Sequence, residues 1–131
     1  ELRKLTNAPI YIFGPKMTYG KSVPRILYAY LKRPSIVKST SLEKYSELFA
    51  NQIKRTEINN EVRKRISKSI IKNIYFIDVL KTQCGPYINN CEIVSKHNSE
   101  LLYFDTSHFT ALGAKEFGEK LKIKYPELFD L

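Results

Sequence analysis

The amino-acid sequence predicts an α/β domain whose sheet is mostly parallel. Two kinds of segment alternate along the 131 residues: short apolar runs rich in β-branched and aromatic residues, and longer segments with apolar residues at helical spacing. Short runs that are apolar throughout are typical of strands covered on both faces, as in parallel sheets. Because strands that alternate with helices connect readily into such a sheet, this order of elements predicts the α/β class.

The first strand and the first helix are predicted near the start of the chain. Residues Ile10–Phe13 form an apolar run that is closed by Gly14 and Pro15. After Pro24, apolar side chains recur at helical spacing until Pro34, whose ring cannot continue a helix. These signals predict a strand at residues 10–13 and a helix between the two later prolines.

Two further helices are predicted between residues 40 and 72. Thr40, with Glu43 three residues later, has the pattern of a capping box and predicts the start of the second helix. We expect the third helix to cover a sheet with an apolar face and to turn a basic face to solvent. The predicted apolar stripe of the second helix is Leu42, Tyr45, Leu48, Phe49 and Ile53. The predicted apolar face of the third is Ile58, Val62, Ile66 and Ile70.

Two more strands and a last helix complete the predicted domain. The run at residues 74–79 is continuous, β-branched and aromatic, which predicts a second strand. The apolar run at residues 101–104 predicts a third strand and ends directly before Asp105. The last helix is predicted from Thr110 onward, with its apolar face formed by Leu112, Phe117 and Leu121.

The chain is basic, with 22 Lys and Arg against 13 Asp and Glu and a formal net charge of +9. Residues 54–72 hold seven of these cations and two of the acids, so one predicted helix carries more than half of the net charge. No aromatic residue interrupts this stripe and no nucleic-acid docking motif lies beside it, so we do not expect nucleic acid as a partner. A solvated helix face is the favoured interpretation, and attraction to an anionic glycan or membrane surface is the alternative.

The composition is that of one folded domain. The chain is 43% apolar and 12% aromatic, which suffices for a buried core and argues against disorder. No apolar run approaches the roughly 20 residues that a membrane span requires, and the first residues are polar rather than those of a signal peptide. We therefore expect residues 1–131 to form a single domain.

Cys84 and Cys91 are the two cysteines, and the segment between them is rich in turn-forming residues. Because its ends can meet, a disulfide bond is the favoured state, which would indicate an oxidising compartment outside the cytoplasm. Two alternatives remain open, namely a zinc site completed by His97 and His108, and two unpaired thiols. The cysteine spacing is wider than in the usual zinc knuckle, which disfavours the zinc site.

Asp105 and His108 are the candidate catalytic residues. They follow a predicted strand and precede a predicted helix, where functional groups gather at the carboxyl edge of a parallel sheet. The Asp105 carboxylate can accept a hydrogen bond from Nδ1 of His108 and leave the other nitrogen to act as a general base. The alternative is a purely structural turn, in which Asp105 or Thr110 caps the last helix.

Residues 101–114 resemble the last conserved block of the SGNH hydrolase superfamily. The closer resemblance is to SGNH-like domains fused to bacterial membrane acyltransferases that O-acetylate surface polysaccharides. The Asp-x-x-His pair matches this block, as do Gly113 and Ala114, while Phe109 and Thr110 replace its usual Leu and Ser. Two upstream segments are also similar and occur in the same order. They are the strand with Gly14-Pro15 and then Val23-Pro24-Arg25, and the strand followed by Cys84 and Cys91.

The resemblance implies a three-layer α/β/α SGNH-like domain, of which residues 1–131 form the C-terminal part. It implies an O-acyltransferase, with acetyl the expected group, acting on cell-envelope polysaccharide or lipopolysaccharide sugars through a Ser-His-Asp acyl-enzyme mechanism. His108 would be the general base, and Asp105 would orient it. The family's nucleophile lies in a Gly-Asp-Ser block that this chain lacks. We therefore expect the serine upstream of Glu1 and expect the fragment alone to be inactive; a degenerate, non-catalytic member is the alternative.

The resemblance also implies partners and a location. It implies no metal or organic cofactor. It implies a saccharide acceptor and an acyl donor delivered by a membrane acyltransferase domain of the same polypeptide, on the periplasmic side of the bacterial inner membrane. Arg25 is a candidate contact for a substrate carboxylate or phosphate, with a plain surface role as the alternative. An esterase and a non-catalytic basic module remain alternative functions. Ser107 is disfavoured as the nucleophile because it shares a tight turn with His108.

Overall fold

The structure is a computed structural model that describes residues 8–130. Within these residues two strands, β1 and β2, pair in parallel, with Ile10 opposite Ile74 and Phe13 opposite Ile77. A small parallel sheet with surrounding helices places the chain in the α/β class, as predicted. The elements are β1 (Ile10–Phe13), α1 (Val23–Leu31), α2 (Pro34–Ser39), α3 (Leu42–Glu47), α4 (Gln52–Ser67), β2 (Ile74–Ile77), α5 (Val79–Cys84), α6 (Ala111–Lys124) and a 3-10 helix (Pro126–Leu128).

The second predicted helix is shorter than its pattern indicated and begins one residue later. Ser41 caps α3, since its Oγ accepts a hydrogen bond from the backbone N–H of Lys44 at 3.3 Å. The proposed capping position, Thr40, instead ends α2 in an extended conformation. The predicted stripe is also wrong at its distal end. Leu48 and Ile53 are 76% and 78% exposed, because the chain leaves the helix after Glu47 and re-enters one at Gln52.

Helix α4 packs on β2 through a face that the apolar pattern did not predict. Asn59 is 1% exposed and donates a hydrogen bond to Oδ1 of Asp78, while Arg63 forms an ion pair with the other carboxylate oxygen. Of the predicted apolar face, Ile58 is 37% exposed, and Ile70 is 91% exposed and lies beyond the helix. The buried Asp78 carboxylate attracts polar partners, so the helix turns an amide and a guanidinium toward the sheet.

The predicted third strand does not join the sheet. Leu101 and Tyr103 instead form single antiparallel bridges with Val94 and Phe109. The bridge between Tyr103 and Phe109 folds the chain back on itself, so residues 101–104 are one arm of a tight hairpin. The second predicted strand is shorter than expected, because the carboxylate of Asp78 accepts a hydrogen bond from the backbone of α5 and caps that helix.

The main core lies between α1, α3, α5 and the hairpin, and a smaller cluster joins β2 to α6. Side chains at the centre of the main core are fully or almost fully buried; among them are Met17, Val23, Ile26, Leu80, Ile93 and Tyr103. No helix within residues 8–130 has both the length and the apolar character needed to cross a membrane.

Cys84 and Cys91 form a disulfide bond inside the main core. Cys84 ends α5, and Cys91 lies seven residues later, so the bridge closes the predicted loop. The hydroxyl of Tyr19 donates a hydrogen bond to the backbone carbonyl of Cys91. Since both sulfurs are consumed in the bond, neither the zinc site nor the pair of free thiols is present.

Candidate active site

The tip of the hairpin brings Asp105 and His108 into direct contact. Oδ2 of Asp105 lies 2.6 Å from Nδ1 of His108. The second oxygen, Oδ1, accepts hydrogen bonds from the backbone N–H groups of Ser107 and His108, each at 2.7 Å. The carboxylate therefore orders the turn with one oxygen and orients the imidazole with the other. Such an interaction fixes which imidazole nitrogen carries a proton.

The same contacts keep Asp105 ionised. Hydrogen bonds from the backbone N–H of His108, then from that of Ser107, and then from the imidazole lower the pKa of the carboxyl from 3.8 to about 2. A carboxylate that remains charged throughout the neutral range can stabilise an imidazolium cation beside it.

The turn is attached to the rest of the domain by backbone hydrogen bonds. The N–H of Val23, at the start of α1, donates to the carbonyl of Asp105 at 3.1 Å. The N–H of Tyr19 donates to the carbonyl of Thr106 at 2.9 Å. These bonds hold the hairpin tip against the segment that leads into α1, so the position of the imidazole depends on that segment.

Thr110, not Asp105, caps the last helix. Its Oγ1 accepts a hydrogen bond from the N–H of Gly113 at 3.0 Å and donates one to the carbonyl of Leu101 at 2.8 Å. Gly113 packs directly on the backbone of Leu102, where a Cβ atom would overlap the carbonyl. The start of α6 is therefore fixed independently, and the Asp105 side chain is free for the turn and the imidazole.

The imidazole is open to solvent on the side away from Asp105. The side chain of His108 is 67% exposed, and the ring of Phe104 stacks on it with centroids 5.6 Å apart and planes 17° apart. Oγ of Ser107 lies 3.5 Å from Nδ1, the nitrogen that already faces Asp105. Within residues 8–130 no side chain is hydrogen-bonded to Nε2. That nitrogen is the one placed to exchange a proton with an approaching group.

A buried polar network behind the hairpin escaped the sequence analysis. Oε1 of Gln83 accepts a hydrogen bond from the N–H of Met17 at 2.8 Å, and Nε2 of Gln83 donates to the hydroxyl of Tyr103. Burial raises the pKa values of Tyr19 and Tyr103, so both hydroxyls stay protonated. Because these residues are far apart in sequence, no local spacing identifies them as partners.

Arg25 lines an open cleft of about 890 Å³ beside Asp105 and His108, which are called the dyad below. The cleft reaches the hairpin tip at Thr106, the residue that follows Asp105. Lys21 and Arg33 also line it, and no local sequence pattern marks these two residues. The other histidine, His97, is exposed and lines a different depression in the surface.

In serine hydrolases and serine-dependent acyltransferases, a histidine that is oriented by a carboxylate and open on its other nitrogen serves as the general base, and Asp105 and His108 have this geometry. Residues 1–122 match the family model described as the SGNH domain fused to AT3 domains, and the chain belongs to this family. AT3 domains are acyltransferase domains, so the function of the family is related to acyl transfer. No curated protein and no solved structure gives a significant match to the chain.

Proposed function

We propose that this domain contributes the general base of an O-acyltransferase, His108, together with Asp105, which orients it; acetyl is the expected group, and a cell-envelope polysaccharide or lipopolysaccharide sugar is the acceptor. One observation carries the proposal: Asp105 holds His108 through Nδ1 at 2.6 Å and leaves Nε2 open to solvent. Membership of a family fused to acyltransferase domains supports transfer of an acyl group as the reaction.

In the proposed mechanism, Nε2 of His108 accepts the proton of a serine hydroxyl as its oxygen attacks the carbonyl carbon of the acyl donor. Collapse of the tetrahedral intermediate breaks the bond to the donor, which leaves with that proton, and an acyl-serine remains. Nε2 then removes the proton of a sugar hydroxyl as the sugar oxygen attacks the carbonyl carbon of the acyl-serine. The ester bond to serine breaks, and Nε2 returns the proton to the serine oxygen, which restores the free serine. Asp105 fixes the imidazole tautomer and stabilises the imidazolium in both steps.

We propose that the serine comes from a segment outside residues 1–131. The chain has no Gly-Asp-Ser block, and the hydroxyl of Ser107 faces the wrong nitrogen of His108 to act as the nucleophile. The proposal therefore includes a three-layer α/β/α domain that is completed by this outside segment. Residues 1–131 alone are then inactive, and the chemistry of the triad uses no metal or organic cofactor.

We further propose that the domain works on the periplasmic side of the bacterial inner membrane, where a membrane acyltransferase domain of the same polypeptide delivers the acyl donor. The buried Cys84–Cys91 disulfide supports an oxidising compartment, since such bonds rarely persist in the cytosol. The family description supports the partner domain.

The test compares variants of the complete polypeptide that contains this chain. His108→Ala should reduce acyl transfer by ~10³-fold or more, and Asp105→Asn by a similar factor, because the base or its correct tautomer is lost. His97→Ala is the matched control, since it removes the other, exposed histidine. The measurements are the O-acetyl content of the glycan and the release of acetate.

The two products separate the competing functions. Acetate without acetylated sugar would indicate an esterase, in which water replaces the sugar hydroxyl and the same pair acts. Full activity of His108→Ala, or an equal loss in His97→Ala, would contradict the assignment of the base. Wild-type protein that forms neither product would contradict the enzymatic proposal and favour a non-catalytic module.

A further inference from the structure

The cleft beside the dyad has a one-sided charge that the proton transfers do not require. Lys21, Arg25 and Arg33 line it, and its lining within residues 8–130 includes no Asp or Glu. Its volume, about 890 Å³, lies within the range of small-ligand sites, which is about 300–1,000 Å³. A concave site with three cations and no acid attracts a ligand that carries negative charge.

The guanidinium groups of the two cleft arginines have no ion-pair or hydrogen-bond partner within residues 8–130. Arg25 lies in the first turn of α1, and Arg33 lies just beyond the end of that helix. Both are exposed, and neither forms an ion pair or a side-chain hydrogen bond within the described part of the chain. Elsewhere Arg63 and Arg65 are paired with Asp78 and Glu61. The cleft arginines therefore keep their donors available for an outside carboxylate or phosphate.

Three aromatic side chains form another part of the cleft wall. Tyr28, on α1, is 64% exposed, and Tyr45 and Phe49 also line the cleft, with ring centroids 5.5 Å apart. The ammonium group of Lys21 lies 5.1 Å from the centroid of the Phe49 ring, so the cation is held at the cleft surface. The C–H face of a sugar ring packs well on the negative face of an aromatic ring.

We propose that this cleft binds the acceptor as an anionic saccharide. A carboxylate or phosphate on the sugar pairs with Arg25 and Arg33, and the sugar ring packs on Tyr28. The cleft reaches the turn of the dyad at Thr106, so a sugar bound there lies beside His108. The inference rests on the proposed function for the reaction that follows binding. The concave shape and the aromatic wall favour a single sugar unit over a flat membrane surface.

Binding is measured directly, on the complete polypeptide and without reliance on turnover. The probes are a trisaccharide of galacturonic acid, the neutral trisaccharide of galactose, a glycosyl phosphate and inorganic tripolyphosphate. We expect the charged sugars to bind at least about tenfold more tightly than the neutral one, since their anionic groups pair with the arginines through charge-assisted hydrogen bonds. The carboxylate and phosphate arms show which anion the site prefers.

The double variant Arg25→Gln/Arg33→Gln should lose this preference. The matched control Lys64→Gln/Lys68→Gln removes the same charge from α4 and its C-terminal end and should retain it. Equal affinity for the charged and neutral trisaccharides, or an unchanged preference in the arginine variant, would overturn the inference. Tripolyphosphate that binds as tightly as the charged sugars would overturn its saccharide part.

The binding test and the activity test fail separately. Both readouts are taken on the wild-type protein, so that neither depends on a substitution at Asp105 or His108. Charged-sugar binding without any acyl transfer would leave this inference standing and contradict the proposed function. Acyl transfer with no preference for a charged acceptor would support the proposed function and contradict this inference.

Discussion

The carboxyl group of Asp105 has both oxygens engaged, and this makes its titration a direct test of the turn. We predict a midpoint of about pH 2 for this group, against the ordinary value of 3.8, because the backbone N–H groups of His108 and Ser107 bind the charged form. Carbon-detected NMR of the side chain as the pH is lowered measures it. A midpoint at the ordinary value would mean that the turn opens in solution.

The lowered pKa also fixes the sign of a stability change. Because the carboxyl has a lower pKa in the folded than in the unfolded chain, it stabilises the fold above about pH 4, and this stabilisation is lost as the pH falls toward 2. In Asp105→Asn the corresponding pH dependence should be absent. Urea unfolding of both proteins at several pH values in this window makes the comparison.

The ring of Phe104 stacks on the imidazole of His108, and we predict that its removal lowers activity. Such ring pairs contribute about 0.5–1.5 kcal/mol, so Phe104→Ala should lower acyl transfer about 2- to 10-fold. The free energy of unfolding should fall by no more than about 0.5–1.5 kcal/mol, because this is the contribution of such a pair and Phe104 is 61% exposed. Tyr87→Ala is the control, since it removes another exposed aromatic ring. Equal activity in the two variants would remove any role for the stacking.

At this scale the sequence identified the residues whose contacts are local. Asp105 and His108 are three positions apart, and Cys84 and Cys91 seven, so each pair is readable from the order of residues. Arg33 and Gln83 were missed because their significance depends on contacts across the fold. A lone arginine at a helix end and a lone glutamine within a helix carry no local signal.

Among the elements, α6 contacts the hairpin at its first turn, where Gly113 packs on the backbone of Leu102. A Cβ at Gly113 would overlap the carbonyl of Leu102, which is backbone and cannot rotate away. We predict that Gly113→Ala destabilises the fold by about 2–3 kcal/mol, as expected of an overpacked contact. Thermal unfolding followed by circular dichroism measures the change.

Gly118 provides a matched control in the same helix. A Cβ there would meet nothing within 4 Å, and its backbone is helical. Gly118→Ala should therefore stabilise the fold by about 0.5–1 kcal/mol, the ordinary gain from alanine in a helix interior. Equal effects of the two substitutions would indicate that helix propensity alone decides both.

The predictions that were wrong concern elements whose buried face or strand pairing depends on residues far away in the sequence. The apolar stripe of α4 predicted burial of Ile58, but Asp78 approaches the helix at the neighbouring Asn59, which is buried instead. The run at residues 101–104 has the composition of a sheet strand, yet its pairing with Phe109 makes it a hairpin arm. Composition sets the local conformation, whereas the neighbour in space decides which sheet or face it joins.

For the whole molecule, the Cys84–Cys91 bridge is a covalent link inside the main core. Closing a loop of this size restricts the unfolded chain and stabilises the fold by about 2–3 kcal/mol. We predict a loss of this size for Cys84→Ala/Cys91→Ala, measured by urea unfolding under oxidising conditions. Adding a reductant should destabilise the wild-type protein toward the variant and leave the variant unchanged.

Thiol counting in denaturant without reductant tests the bridge itself. The wild-type chain should show no reactive thiol, because both cysteines are bonded. Two reactive thiols would contradict the bridge and remove its support for an oxidising compartment.

The backbone N–H groups of Tyr19 and Val23, in the segment that leads into α1, donate hydrogen bonds to the hairpin tip. Their hydrogen exchange therefore reports whether this contact is closed. Their hydrogens exchange with deuterated water only when the tip detaches from the segment before α1. A ligand seated against Gly20 and Ser22, which line the cleft, would slow that detachment. Ligand binding in the cleft would then slow the hydrogen exchange of the Tyr19 and Val23 amides, before any covalent step takes place.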